Sequence, residues 1–170
     1  MIFRELTISV LAKRYLHPFD SLELVKWAIE ILKIGYETEN LYILAGLDDE
    51  NTIVREDYFF KSLNDLNFII DNKESILKEY AFYISKKFIN NNLDQDTAIN
   101  KMYHIYSELD SELDSELDLE IFYQITIDLE ILEDIGSSPY ANINLDNKDE
   151  FIFKKFQEYY SKYKPIYESN

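Results

Sequence analysis

Cysteine is absent from this 170-residue chain. That excludes disulfide frameworks, thiolate metal sites and a cysteine nucleophile, and makes the reducing cytoplasm the expected location. Glycine and proline are scarce, with only Gly35, Gly46 and Gly136 beside Pro18, Pro139 and Pro165. Sheet-rich folds need more turn punctuation than that, so helices are expected throughout. No apolar run approaches the ~20 residues that span a bilayer. The opening Met1-Ile2-Phe3-Arg4-Glu5-Leu6 carries charge where a secretory signal would be apolar, so neither a membrane span nor an export signal is expected.

The chemistry of familiar sites is missing too. His17 and His104 lie far apart and fit no metal pattern; the first reads as a surface loop residue and the second as a polar-face helix residue. Calcium loops need a central glycine, which Asp48-Asp49, Asp94-Gln95-Asp96 and Asp146-Asn147-Lys148-Asp149 all lack. Gly136-Ser137-Ser138-Pro139 reads as a turn, lacking the second glycine of a nucleophile elbow. Phosphate-cradling glycine loops are absent. A non-catalytic protein with no metal and no cofactor is the expectation.

What remains is helix signal. Hydrophobic residues at 46% and aromatics at 15% are enough for a packed core. Periodicity predicts a helix over 2–16. A second, opened by Asp20 and Glu23 as a capping box, carries Leu22, Val25, Ile29 and Leu32 and stops at Gly35. A short helix over 39–45 ends at Gly46, and the next runs to Leu66 with Val54, Tyr58, Leu63 and Leu66 inward. Asp71 and Glu74 open the strongest stripe, Leu77, Ala81, Ile84 and Phe88 with Ile76 and Tyr80 beside it. Asp94 caps a helix bearing Ala98, Met102, Ile105 and Leu109. Ile125, Ile127, Leu129 and Ile131 alternate like a strand, but Phe122, Ile125, Leu129 and Leu132 fit a helix equally, and no comparable second strand exists to pair with it. Helix is preferred there, and the last helix, 148–164, is expected to stop before Pro165. The fold class is therefore all-α: a single-domain antiparallel array of about seven to eight helices.

Charge of one sign is also missing locally. Between Met102 and Asn147 there is no Lys or Arg, against twelve carboxylates, so 46 residues hold −12 of the net −16. The other 124 residues, with 17 basic and 21 acidic side chains, carry only −4. Inside this belt the tetrapeptide Ser-Glu-Leu-Asp occurs three times in tandem over 107–118. On a helix, Leu109, Leu113 and Leu117 would form an apolar stripe between a Glu column and an Asp column. Like charges at i and i+4 cost about 0.2 to 0.5 kcal/mol per pair. Five such pairs arise here, and Lys154, Lys155, Lys162 and Lys164 of the same chain or an outside partner must supply the positive charge.

A solvated face and a docking surface for a basic protein both fit the belt. The docking reading singles out Glu108, Asp110, Glu112, Asp114, Glu116 and Asp118, with Tyr123 and Tyr140 as aromatic contacts. Phe153, Phe156, Tyr159, Tyr160 and Tyr163 share one side of the last helix and are expected mostly in the core. Nucleic acid and anionic membrane are excluded as partners by like-charge repulsion.

Leu24-Val25-Lys26-Trp27-Ala28, then Gly35-Tyr36-Glu37, then Leu-Tyr-Ile-Leu-Ala-Gly-Leu over 41–47 resemble a group of small bacterial helical proteins, some similar to the immunity partners of secreted toxins. The resemblance covers roughly 11–100, consists of packing residues and transfers no site. It implies structural roles for Trp27 and Gly46, and a cognate toxin as the basic partner. A helical scaffold, or a small hydrolase with a dispersed site, is the alternative.

Overall fold

The computed structural model describes residues 2–110, 118–138 and 143–168, apart from the side chains of Asp110, Ser137 and Ser138. Among these residues the protein is all-α, with eight helices and one pair of two-residue strands. Two compact units, Met1–Ile76 and Leu77–Asn170, divide the chain within one helix. No helix among the described residues is long and apolar enough to cross a membrane.

The first unit holds α1 (Ile2–Tyr15), α2 (Leu22–Lys33), α3 (Glu39–Ala45) and α4 (Thr52–Asp65), and α2 packs against the other three. Its buried residues are Leu24, Val25, Trp27, Ala28 and Ile31, a face rotated from the expected stripe, with Ile29 exposed. Trp27 sets that rotation. Its ring lies edge-on to Phe59 at 4.8 Å, and its Nε1 donates to Thr7 Oγ1 at 3.2 Å. The expected capping box at Asp20 and Glu23 does not form. Asp20 Oδ1 accepts from Leu22 N at 2.9 Å, but the Glu23 carboxylate is held by Lys13 and Lys26. Thr38 and Asn51 cap α3 and α4 by accepting from the amides of Leu41 and Val54.

The inward side of α4 also differs from expectation. Arg55, Phe59, Ser62 and Leu63 are buried, whereas Val54, Tyr58 and Leu66 are only half-buried. Arg55 explains the difference. Its guanidinium donates to Leu47 O at 2.9 Å, to Ser21 Oγ at 2.9 Å and to Asp48 O, so it ties the loop before α4 and the start of α2 to its own helix.

The chain continues as α5 (Lys73–Ile89), whose first residues to Ile76 belong to the first unit, and then α6 (Gln95–Asp110), α7 (Glu120–Ile135), β1 (Ser137–Ser138), β2 (Ile143–Asn144) and α8 (Lys148–Tyr167). Asn72, rather than Asp71, caps α5, accepting from Ser75 N at 2.8 Å; Asp71 is taken by Arg4. From Glu79 to Ser85 every residue of α5 is buried, so burial there runs round the helix and goes beyond the expected one-sided stripe. Asp94 caps α6 as expected, and Ala98, Met102, Ile105 and Leu109 are all buried. The ambiguous segment is helical, with Phe122, Ile125, Asp128 and Leu132 inward. It ends on Gly136, whose φ of 81° provides the left-handed cap. β1 and β2 then pair antiparallel, a short bridge that periodicity did not indicate.

Contrary to expectation, α8 runs through Pro165 to Tyr167. Proline removes one hydrogen bond there, but the last turn is anchored from α5. Tyr167 packs on Phe82 at 5.3 Å, and Glu168 accepts from Lys86 Nζ at 2.6 Å.

Replacing Arg55 by alanine removes its hydrogen bonds to Leu47 O, Asp48 O and Ser21 Oγ. Urea denaturation followed by fluorescence of Trp27 is expected to show a loss of about 3 kcal/mol. A loss under about 1 kcal/mol would mean that water replaces the guanidinium without penalty.

Candidate functional site

The carboxylate-rich region is built on α6 and α7, which pack as an antiparallel hairpin. The register follows from ring contacts. Tyr123 of α7 stacks on both Tyr103 and Tyr106 of α6, at 6.1 and 5.3 Å. At the far end, Asp96, Ile99 and Asn100 of α6 face Thr126, Leu129, Glu130 and Glu133 of α7 across a groove of about 230 Å³. On each helix these positions are three or four residues apart, the spacing that keeps side chains on one face.

The singled-out residues are distributed unevenly. Glu108 is half-buried on α6, and Asp110 ends that helix with its side chain outside the described residues. Glu112, Asp114, Glu116 and Tyr140 lie outside the described residues, as do Leu113 and Leu117 of the expected stripe. Tyr123 is half-buried in the tyrosine stack.

Asp118 is held by α8. Lys162 Nζ donates to its Oδ2, and Tyr163 OH donates to the same oxygen at 2.6 Å. Burial pushes the Asp118 carboxyl up, but the hydrogen bonds from Lys162 and Tyr163 outweigh it and hold the group below the usual carboxylate range. Burial and the adjacent Asp118 push the Tyr163 phenol the other way, upward. This end of the belt is therefore covered by one of the chain's own lysines. A cleft of about 530 Å³ opens beside it, but its Lys155 and Lys162 are engaged with Glu158 and Asp118.

The opposite end is different. Asp96, Glu130 and Glu133 are exposed. Ion pairs of the second unit include Lys86–Glu168, Lys155–Glu158 and Lys162–Asp118, and among the described residues none reaches those three carboxylates. Beneath them Ile99 is 4% exposed and Leu129 half-buried, giving the groove an apolar floor. Asp128, another belt carboxylate, points inward instead and is 1% exposed, because it falls on the core stripe of α7.

Sequence reasoning counted Glu130 and Glu133 within the belt but missed their alliance with Asp96, which precedes it. The usable signal was register. Folding α6 against α7 as a hairpin pairs positions near 96–100 with positions near 129–133.

Among the described residues no group of three His, Asp or Glu side chains is placed to hold a metal ion. His17 and His104 are both exposed, with the His104 ring edge-on to Tyr103. No family model, curated protein or solved structure matches this chain.

The clasp on Asp118 makes stability depend on acid. Because its pKa is depressed on folding, the contribution is present above the unfolded value near 3.8 and is lost as pH falls through the lower folded value. Asp118→Asn should therefore flatten the acid limb of a stability–pH curve below about pH 4 and remove stability at neutral pH. An acid limb identical to that of the wild type would show that the clasp contributes nothing.

Proposed function

We propose that this protein is an acidic binding module that captures a basic protein by docking and not by catalysis, in the manner of an immunity protein covering the cationic cleft of a nuclease toxin. The observation that carries this reading is the local charge imbalance: twelve carboxylates and no Lys or Arg over residues 102–147. Exposure of Glu130 and Glu133, with Asp96 beside them and no ion pair at any of the three among the described residues, adds to it.

The physical logic is that of steered association. A surface of one sign raises the encounter rate with an opposite surface and repels wrong partners, while affinity comes from desolvated anchors nearby. The half-buried Tyr103, Tyr106 and Tyr123 stand beside the acidic groove as such anchors. The same field repels nucleic acid and anionic lipid, which leaves cationic protein surfaces as the chemistry that fits. The immunity form of this reading rests on the resemblance of residues 24–47 to small helical toxin-immunity proteins. A gene for a basic secreted toxin directly upstream would support it.

The test is capture from the native source at low and high salt, followed by association kinetics of the purified basic partner. Two triple variants are compared with the wild type: Glu112→Gln/Asp114→Asn/Glu116→Gln and Asp96→Asn/Glu130→Gln/Glu133→Gln. At low salt the association rate should fall by about tenfold or more in at least one variant, with a flatter salt dependence. Unchanged kinetics in both, together with a stabilised fold, would reject docking and leave a solvated scaffold surface.

A further inference from the structure

The geometry points to the α6–α7 groove as the seat of one basic amphipathic helix, with its apolar side on Ile99 and Leu129 and its Lys or Arg side chains on Asp96, Glu130 and Glu133. This inference rests on the basic-partner reading and adds the mode of recognition. Three observations meet at one place. The groove floor is apolar, formed by Ile99 and Leu129. Its rims carry Asp96 on one helix and Glu130 and Glu133 on the other, so cations on both flanks of an incoming segment find carboxylates. Along the same face toward the other end of the hairpin, Tyr103, Tyr106 and Tyr123 form a half-buried stack whose rings accept both apolar contact and cations.

Helical rather than extended occupancy follows from backbone bookkeeping. α6 and α7 have already paired their main-chain groups internally, so an extended peptide laid between them would find no ladder and its own N–H and C=O groups would lose water for nothing. A helix satisfies its own backbone and presents only side chains. Two antiparallel helices offer a third the ridges and grooves of bundle packing. From Asp96 to Tyr106 the face runs about 15 Å at 1.5 Å per residue, enough for about three turns. Apolar side chains at i, i+3 or i+4 and i+7 would then follow the groove floor, flanked by cations.

The experiment uses the full chain and a synthetic Leu/Lys amphipathic helix of about 14 residues. A peptide of the same length and charge with prolines at its centre, which cannot form the helix, is the control. Binding is followed by titration and by the ring resonances of ¹³C-labelled tyrosine. The helical peptide should bind and shift Tyr103, Tyr106 and Tyr123, and the proline peptide should bind at least about tenfold more weakly. Asn100→Arg, an exposed substitution inside the groove, should weaken binding by about tenfold. Asp134→Asn, which changes net charge equally from outside the groove lining, should alter it by about twofold at most.

Equal binding of the two peptides, or equal effects of the two substitutions, overturns the groove and leaves capture by diffuse negative charge standing. Failure of every cationic peptide to bind the wild type at low salt overturns both.

Discussion

The α6–α7 hairpin carries its carboxylates against a single lysine, Lys101, so its apolar side must hold it in place, and that side converges on Phe122. Phe122 is fully buried and meets Phe156 of α8 at 4.6 Å and Tyr159 at 6.0 Å, while Phe156 continues to Phe88 of α5 at 4.5 Å. Magnitudes decide whether such a cluster suffices. A buried Phe side chain is worth about 1.5 to 3 kcal/mol, and each aromatic pair adds about 0.5 to 1.5. Like-charge neighbours at i and i+4 cost about 0.2 to 0.5 kcal/mol each. Two rings therefore outweigh the repulsion of several such pairs, and the hairpin can keep a negative outer surface without unfolding.

One point of the belt is tied down electrostatically by α8. Lys162 and Tyr163 close on Asp118 where α7 begins, fixing the start of that helix against α8. Toward the other end of α7 no lysine of the described residues closes on Glu130 or Glu133. The contrast is informative because lysines are present on α8 in number: Lys155 turns to Glu158 of its own helix, and Lys164 lies over the Tyr160 ring. Cations were within the chain's repertoire, yet the face of α7 that borders the groove is left negative.

Much of the helix map was legible because the signals were local. The cap Asp94 and the stop Gly35 act within a few residues, and they place the start of α6 and the end of α2 where the structure has them. The errors came where a distant side chain intervened. Trp27 turned α2 toward Thr7 and Phe59, Arg55 turned α4 toward loop carbonyls, and the contacts of Tyr167 and Glu168 carried α8 past Pro165. The site was legible as composition but not as geometry. A run of carboxylates says nothing about which of them face inward, as Asp128 does, or meet a lysine, as Asp118 does.

That distinction bears on where selection for binding would act. A sequence whose local preferences all agree with its fold carries no trace of function, and departures from that agreement mark functional places. Here the departure is not the charge itself, which a solvated helix tolerates, but charge placed around an apolar floor. Ile99 and Leu129 face a groove rimmed by Asp96, Glu130 and Glu133, a combination in which each element lowers the value of the other for an isolated fold. Carboxylates beside an apolar floor are desolvated by anything that covers it, and the floor stays wet unless something does. A ligand apolar along its centre and positive along its edges would relieve both costs together, which is the chemistry that the proposed basic helix brings to the α6–α7 face.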